Sequence, residues 1–159
     1  MAISKLNLED FCNEDFSLFA IHTALEDYRL AYFLNKHLGI NLCRKEFDLD
    51  SVSSKGNFSV FEYFDQTNFL QWSLISNIYN HNISAKIFND GLFENPDNIV
   101  QKVNLLNEYK NVNYLLKIEN NDNQVDLEKT VKEIKNISQI ITVYDINKDL
   151  KNKENLIFL

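Results

Sequence analysis

Five residues carry the side chains best suited to recognising or transforming a ligand. Asp27 and Arg29 sit near the start of an amphipathic stretch, and Glu108, Asn113 and Tyr114 crowd into a second short segment. An aspartate on the apolar stripe of a helix is a candidate for a buried acid with a raised pKa. The more ordinary role for a carboxylate in a first turn is to complement the helix dipole and accept unpaired backbone N–H groups. Arg29, one of two arginines beside Arg44, has a planar fork that grips carboxylate or phosphate through two parallel hydrogen bonds, or else stacks on a neighbour such as Phe33. Glu108 and Tyr114 fall near and on the facing arms of a predicted hairpin. There they either converge on a ligand or form a cross-strand pair.

The remaining chemistry-bearing residues do not assemble into a known constellation. His22, His37 and His81 are not at helical ligand spacing, so the sequence predicts no metal site. A thiol nucleophile needs a neighbouring base. Cys43 has Arg44 and Lys45 beside it, but adjacent strand residues point to opposite faces, so Cys43 reads as a small core residue. Asn120–Asp126 is acidic but lacks the glycine and terminal glutamate of a calcium loop, and no glycine-rich phosphate loop is present. No catalytic residue and no cofactor is assigned.

The elements that must position these residues are organised around Phe16–Gly39. Alternating apolar residues predict a strand over 16–22, and Ala24, Tyr28, Ala31, Leu34 and Leu38 predict a helix over 24–38. Thr23 reads as its N-cap, with Glu26 completing a capping box, and Gly39 as its left-handed stop. Asp27 and Asn35 break the apolar stripe, and Asn35 is expected to be a satisfied core amide. A strand over 41–50 and a loop over 51–57 follow. The stretches 58–64 and 69–78 flank Asp65-Gln66-Thr67-Asn68 as a hairpin, and 83–88 is a further candidate strand. A second hairpin is predicted to pair 103–106 with 112–119, where Tyr114, Leu116 and Ile118 alternate with Asn113, Lys117 and Glu119 as in a half-buried strand. Leu127, Val131 and Ile134 predict a helix over 124–136, followed by strands 139–144 and 156–159. Residues 1–15 are expected to form a short strand or arm, and 89–101 a loop.

The strand–helix–strand pattern occurs twice. It predicts an α+β fold with a mainly antiparallel mixed sheet and two helices on one face, either in a single sheet or as two ferredoxin-like βαβ-β halves. The 159 residues suit a single domain, and 45% hydrophobic with 25% charged is ordinary globular composition.

The formal charge is −7, with lysines interleaved among acids and no basic stripe to neutralise phosphates. Direct nucleic-acid binding is therefore not expected. No apolar run reaches membrane-spanning length. The N-terminal MAISKLNLEDF meets acids by position 9 and has no long apolar core, so no signal peptide is read. Cys12 and Cys43 are accordingly expected as free thiols in a cytoplasmic protein.

Asp27–Gly39 (DYRLAYFLNKHLG), the segment Leu106–Tyr114 and the closing Lys153–Phe158 (KENLIF) carry a family resemblance. The chain resembles the bacterial family named for its signature, the IPExxxVDY proteins. Glu108, Val112 and Tyr114 agree with that signature, whereas Leu106, Asn107 and Asn113 stand where the family has isoleucine, proline and aspartate. The resemblance implies a single-domain cytosolic bacterial protein and supplies no reaction. An amide at 113 neither takes up a proton at neutral pH nor provides charge, so the position reads as structural.

Two functions fit. The first is a non-enzymatic protein acting through protein–protein contacts, with an unknown partner or a second copy of itself, its aromatic strands supplying the interface. The second is a small-ligand binder or enzyme with a cleft near Asp27/Arg29 and Glu108/Tyr114.

Overall fold

The strand predicted over 16–22 is the hub of the fold, because its apolar residues alternate so as to feed two cores at once. The computed structural model describes residues 16–51, 56–84, 98–119 and 125–146. In it, β1 (Phe16–Thr23) lies between β9 (Tyr114–Glu119) and β10 (Ile140–Asp145). On the other side of β9 come β6 (Leu70–Ser76), β5 (Val60–Asp65) and the two-residue β2 (Cys43–Arg44). All neighbours in this six-stranded sheet are antiparallel. Two small sheets accompany it, β3 (Leu49–Ser51) with β4 (Gly56–Phe58) and β7 (Ile78–Ser84) with β8 (Asn98–Asn104).

The architecture is α+β, with both helices on one face of a single sheet rather than in two halves. α1 (Asp27–Leu38) connects β1 to β2, and α2 (Leu127–Lys135) connects β9 to β10. Since neighbours alternate in direction, β9 and β10 run parallel with β1 inserted between them. Phe19 and Ile21 of β1, Trp72 and Leu74 of β6, and Leu116 and Ile118 of β9 form one core with Leu30 and Leu34 of α1 and Ile134 of α2. The opposite face buries Leu18, Ala20, Leu115 and Ile75 with Phe58, Leu105, Leu106 and Val112.

Where the sequence signals are local, the predicted elements agree closely. The β5–β6 hairpin turns at Asp65, whose carboxylate accepts from the backbone N–H groups of Thr67 (2.9 Å) and Asn68 (3.3 Å) and from the Asn68 amide (2.7 Å). The Asn68 amide is the main reason the Asp65 carboxyl lies below its usual pKa. Gly39 closes α1 at φ 65°, its N–H bonded to the Asn35 carbonyl. Asn35 is satisfied, its amide exchanging hydrogen bonds with both backbone groups of Leu42 (3.1 and 2.7 Å). Asp126 caps α2 by accepting from Lys129 N (3.0 Å), so that helix is shorter than the predicted 124–136.

Several boundaries need correction. Thr23 is the last residue of β1, paired with Ile140 beyond a register shift. Its hydroxyl donates to the Gln139 carbonyl (2.8 Å) and accepts from Leu25 N (3.1 Å), so it makes a local turn instead of capping a helix. The helix begins at Asp27, and Glu26 at the N-cap makes no side-chain cap bond. Tyr28, placed on the apolar stripe from sequence, is 60% exposed, as is Tyr32; the buried residues are Leu30, Ala31 and Leu34.

The predicted 41–50 strand is two short pieces in different sheets, and Ser51, Gly56 and Asn57 of the predicted 51–57 loop belong to β3 and β4. The 103–106/112–119 hairpin does not form: β8 pairs with β7, and β9 pairs with β1 and β6. Residues 98–101 of the predicted 89–101 loop lie in β8. β9 is buried on both faces, and Lys117, read as facing solvent, is 1% exposed. Its ammonium meets Glu119 Oε1 at 2.5 Å and lies 5.0 Å from the centre of the Phe16 ring. Strands predicted in 1–15 and 156–159 fall outside the described residues, as does nearly all of the 83–88 strand.

Candidate functional site

The C-terminal ends of β1 and β6 and the N-terminal end of β9 reach the same edge of the sheet, and the loops that leave them frame a polar groove. Two shallow depressions, each of about 410 Å³, share Ser76, Ile78, Asn80 and Tyr114. The first is completed by Glu26, Asp27, Arg44 and Asp48 among others, the second by Thr23, Lys102 and Asn113 among others. Three of the five residues picked from sequence, Asp27, Asn113 and Tyr114, therefore meet here. Arg29 projects from the exposed side of α1 and lines neither depression. Glu108 is exposed in a 3-10 turn over Asn107–Tyr109, also away from the lining.

The three sequence-picked residues that line the groove each have a prior engagement. Tyr114 is 9% exposed, and its hydroxyl donates to the Leu25 carbonyl at 2.8 Å. Burial, followed by the charges of Asp27 and Glu26, pushes its phenol up to about 12, so near neutrality it is a protonated donor already in use. Asp27 is half-buried, and its Oδ1 accepts from Tyr28 N at 2.7 Å. It is a first-turn carboxylate satisfied by its own helix. Asn113 uses its side-chain oxygen to accept from Thr23 N (3.0 Å), while its backbone N–H donates to Ile21 O (3.2 Å) and its carbonyl accepts from Asn77 N (2.9 Å). An aspartate oxygen would accept the same Thr23 N–H, which is why an amide serves at this position.

Arg44 and Asp48 are groove residues that sequence reading did not single out. Their side chains form an ion pair, and the guanidinium also donates to Lys45 O (3.0 Å) and lies 5.7 Å from the Phe61 ring centre. Neither forms a helical i,i+4 pair, since the chain between them is irregular, and no local pattern marks them. Both are more than a third exposed, so the pair orders the rim and adds little stability. Cys43, expected in the core, is exposed because β2 is a two-residue edge strand.

Behind the groove, Asn77 is fully buried and organises the whole 104–113 connection. Its amide donates to Tyr109 O (2.8 Å) and Val112 O (2.9 Å), its side-chain oxygen accepts from Leu106 N (2.9 Å), and its carbonyl accepts from Leu105 N (2.9 Å). The segment bearing the signature-like residues is thus a corner wrapped around one amide. No sequence signal distinguishes Asn77 from the many other asparagines. On the sheet face opposite the helices, Ser73 pairs directly across from the buried Lys117, whose ammonium is held by Glu119.

Among the described residues, no three histidine, cysteine or acidic side chains gather as metal ligands, and no helix is long and apolar enough to cross a membrane. Comparison with protein-family models, with curated proteins and with solved structures found no match to this chain.

Proposed function

We propose that this is a non-enzymatic cytoplasmic protein that works through contacts with a protein partner or with a second copy of itself, as a divergent relative of the IPExxxVDY proteins. The observation that carries the reading is a contrast in engagement. The groove's most chemically capable side chains, those of Asp27, Arg44, Asp48, Asn113 and Tyr114, are tied to the protein's own backbone or to one another, while large aromatic side chains face solvent: Tyr28 and Tyr32 at 60%, Phe47 at 76%. Exposed aromatics supply contact area at low entropic cost and dominate recognition surfaces. Catalysis asks instead for a group free to accept or donate a proton, and Tyr114, the most perturbed group in the groove, keeps its proton far above neutral pH.

The test is capture on the tagged chain with cross-linking and mass spectrometry. A stoichiometric protein partner, this chain included, is the expected result. Co-purified small molecules lost in Arg44→Ala or Asp48→Ala, with no protein partner, would shift the assignment to a ligand-binding groove.

A further inference from the structure

α1 carries two stripes of opposite character. Leu30, Leu34 and Leu38 repeat every fourth residue and face the core, with Leu30 and Leu34 wholly buried. Tyr28, Tyr32 and Lys36 repeat with the same spacing two positions earlier, which at about 100° per residue places them on the opposite side of the helix. All three are exposed, as is Arg29 beside them. The sequence reading merged the two stripes, and the structure separates them.

The outward stripe is ordered by charge as well as by shape. Its N-terminal end is acidic, with Glu26 exposed beside Tyr28, where its carboxylate holds the Tyr28 phenol above its usual pKa. Its C-terminal end is basic, with Lys36 and His37 exposed. A surface that is acidic at one end, basic at the other and aromatic between is complementary to itself when turned through a two-fold axis. Turned so, Glu26 of one chain meets Lys36 of the other, the Tyr32 rings meet near the axis, and each Arg29 reaches the partner's aromatic face. Antiparallel helices also set each positive dipole end beside a negative one. A different protein would have to reproduce this order of acid, aromatic and base, which a second copy already has.

We infer that the outward face of α1 is a homodimer surface, two copies of the chain packing their α1 helices antiparallel through Tyr28, Arg29 and Tyr32 with Glu26 against Lys36. This rests on the protein-contact reading above and gives it a location. One helix face per chain is small beside a standard interface of about 1,600 Å², so the dimer is a reversible, concentration-dependent one.

Sedimentation equilibrium of the full chain across a broad concentration series tests the inference. The weight-average mass is expected to rise from 18.7 kDa toward twice that value. Tyr32→Ser, at an exposed position that keeps the fold, is expected to weaken association at least about tenfold. Glu26→Lys and Lys36→Glu each place like charges opposite one another and are expected to stay monomeric, as confirmed on samples whose thermal melts remain cooperative. Mixed in equal amounts, those two variants restore both ion pairs in the heterodimer and are expected to associate again. A wild type that stays monomeric, an association indifferent to Tyr32→Ser, or a mixture that fails to recover would each overturn the proposal. If cross-linking still captures another protein in that event, the protein-contact reading survives without this surface.

Discussion

On the helix-facing side of β9, Tyr114, Leu116 and Ile118 share a core with Leu30, Leu34 and Ile134. On its other side, Leu115 and Lys117 share a face with Ser73 of β6, and the nearby 104–113 corner is pinned by Asn77. The first face is apolar burial of two amphipathic helices, non-directional and tolerant of small shifts. The second buries an apolar cluster of its own, around Leu18, Ile75 and Leu115, but adds directional bonds from a few buried polar groups, which are inexpensive while satisfied and costly when one partner is removed. The helix face should therefore yield gradually to mutation, and the opposite face abruptly at its buried polar positions.

The largest expected effect is on the polar side. Asn77→Ala leaves Leu106 N and Val112 O without their partner, takes one of two donors from Tyr109 O, and should cost about 4 kcal/mol in urea unfolding. Leu34→Ala, which opens a cavity under α1, should cost about 3 kcal/mol. An Asn77→Ala penalty well below that of Leu34→Ala would break the comparison. Lys117→Ala loses a wholly buried aliphatic stem as well as the Glu119 contact and should cost about 2 kcal/mol. Lys117→Met should recover most of it, because the volume returns and Glu119 is partly solvated.

A smaller effect follows from Tyr114. Its folded pKa of about 12 is above the unfolded value near 10, so the native state keeps a proton that the unfolded state releases. The stability linked to this phenol is complete below pH 10 and falls as pH rises toward 12. A phenolate absorbance titration should show a most-delayed tyrosine in the wild type that is lost in Tyr114→Phe, a variant that also loses the bond to Leu25 O for about 1 kcal/mol. The smallest expected change is a gain. Phe69 is 74% exposed and adopts φ 53°, a left-handed conformation that disfavours a side chain. Phe69→Gly should stabilise by about 0.5 kcal/mol, visible as a small rise in the urea midpoint.

What could be read from sequence was what neighbours in sequence decide. The Asp65–Asn68 turn, the Gly39 stop and the apolar spacing of α2 all rest on residues a few positions apart. The start of α1 was misread because the hydroxyl of Thr23 answers to Gln139, far along the chain. β7 escaped because Asn80, His81 and Asn82 are exposed, leaving a backbone ladder without an apolar alternation to announce it. Lys117 was misread because alternation implies one wet face, and the sheet has two covered ones. In the groove, Asp27, Asn113 and Tyr114 were legible as unusual residues, but their engagements were not. The Arg44–Asp48 pair depends on an irregular loop that has no sequence signature.

The insertion of β1 between β9 and β10 has a consequence for the order of events in folding. Both partners of β1 lie near the far end of the sequence, at 114–119 and 140–145, so neither of its ladders can form until most of the chain is available. At synthesis rates of roughly 5–20 residues per second, the apolar stretch Phe16–Ile21 waits on the order of ten seconds with both edges open. The β5–β6 hairpin, closed by a four-residue turn, has no such delay. This interior strand of the sheet is thus made before either of its partners and secured late, and conditions that slow synthesis should lengthen its exposure to chaperones and to other nascent chains.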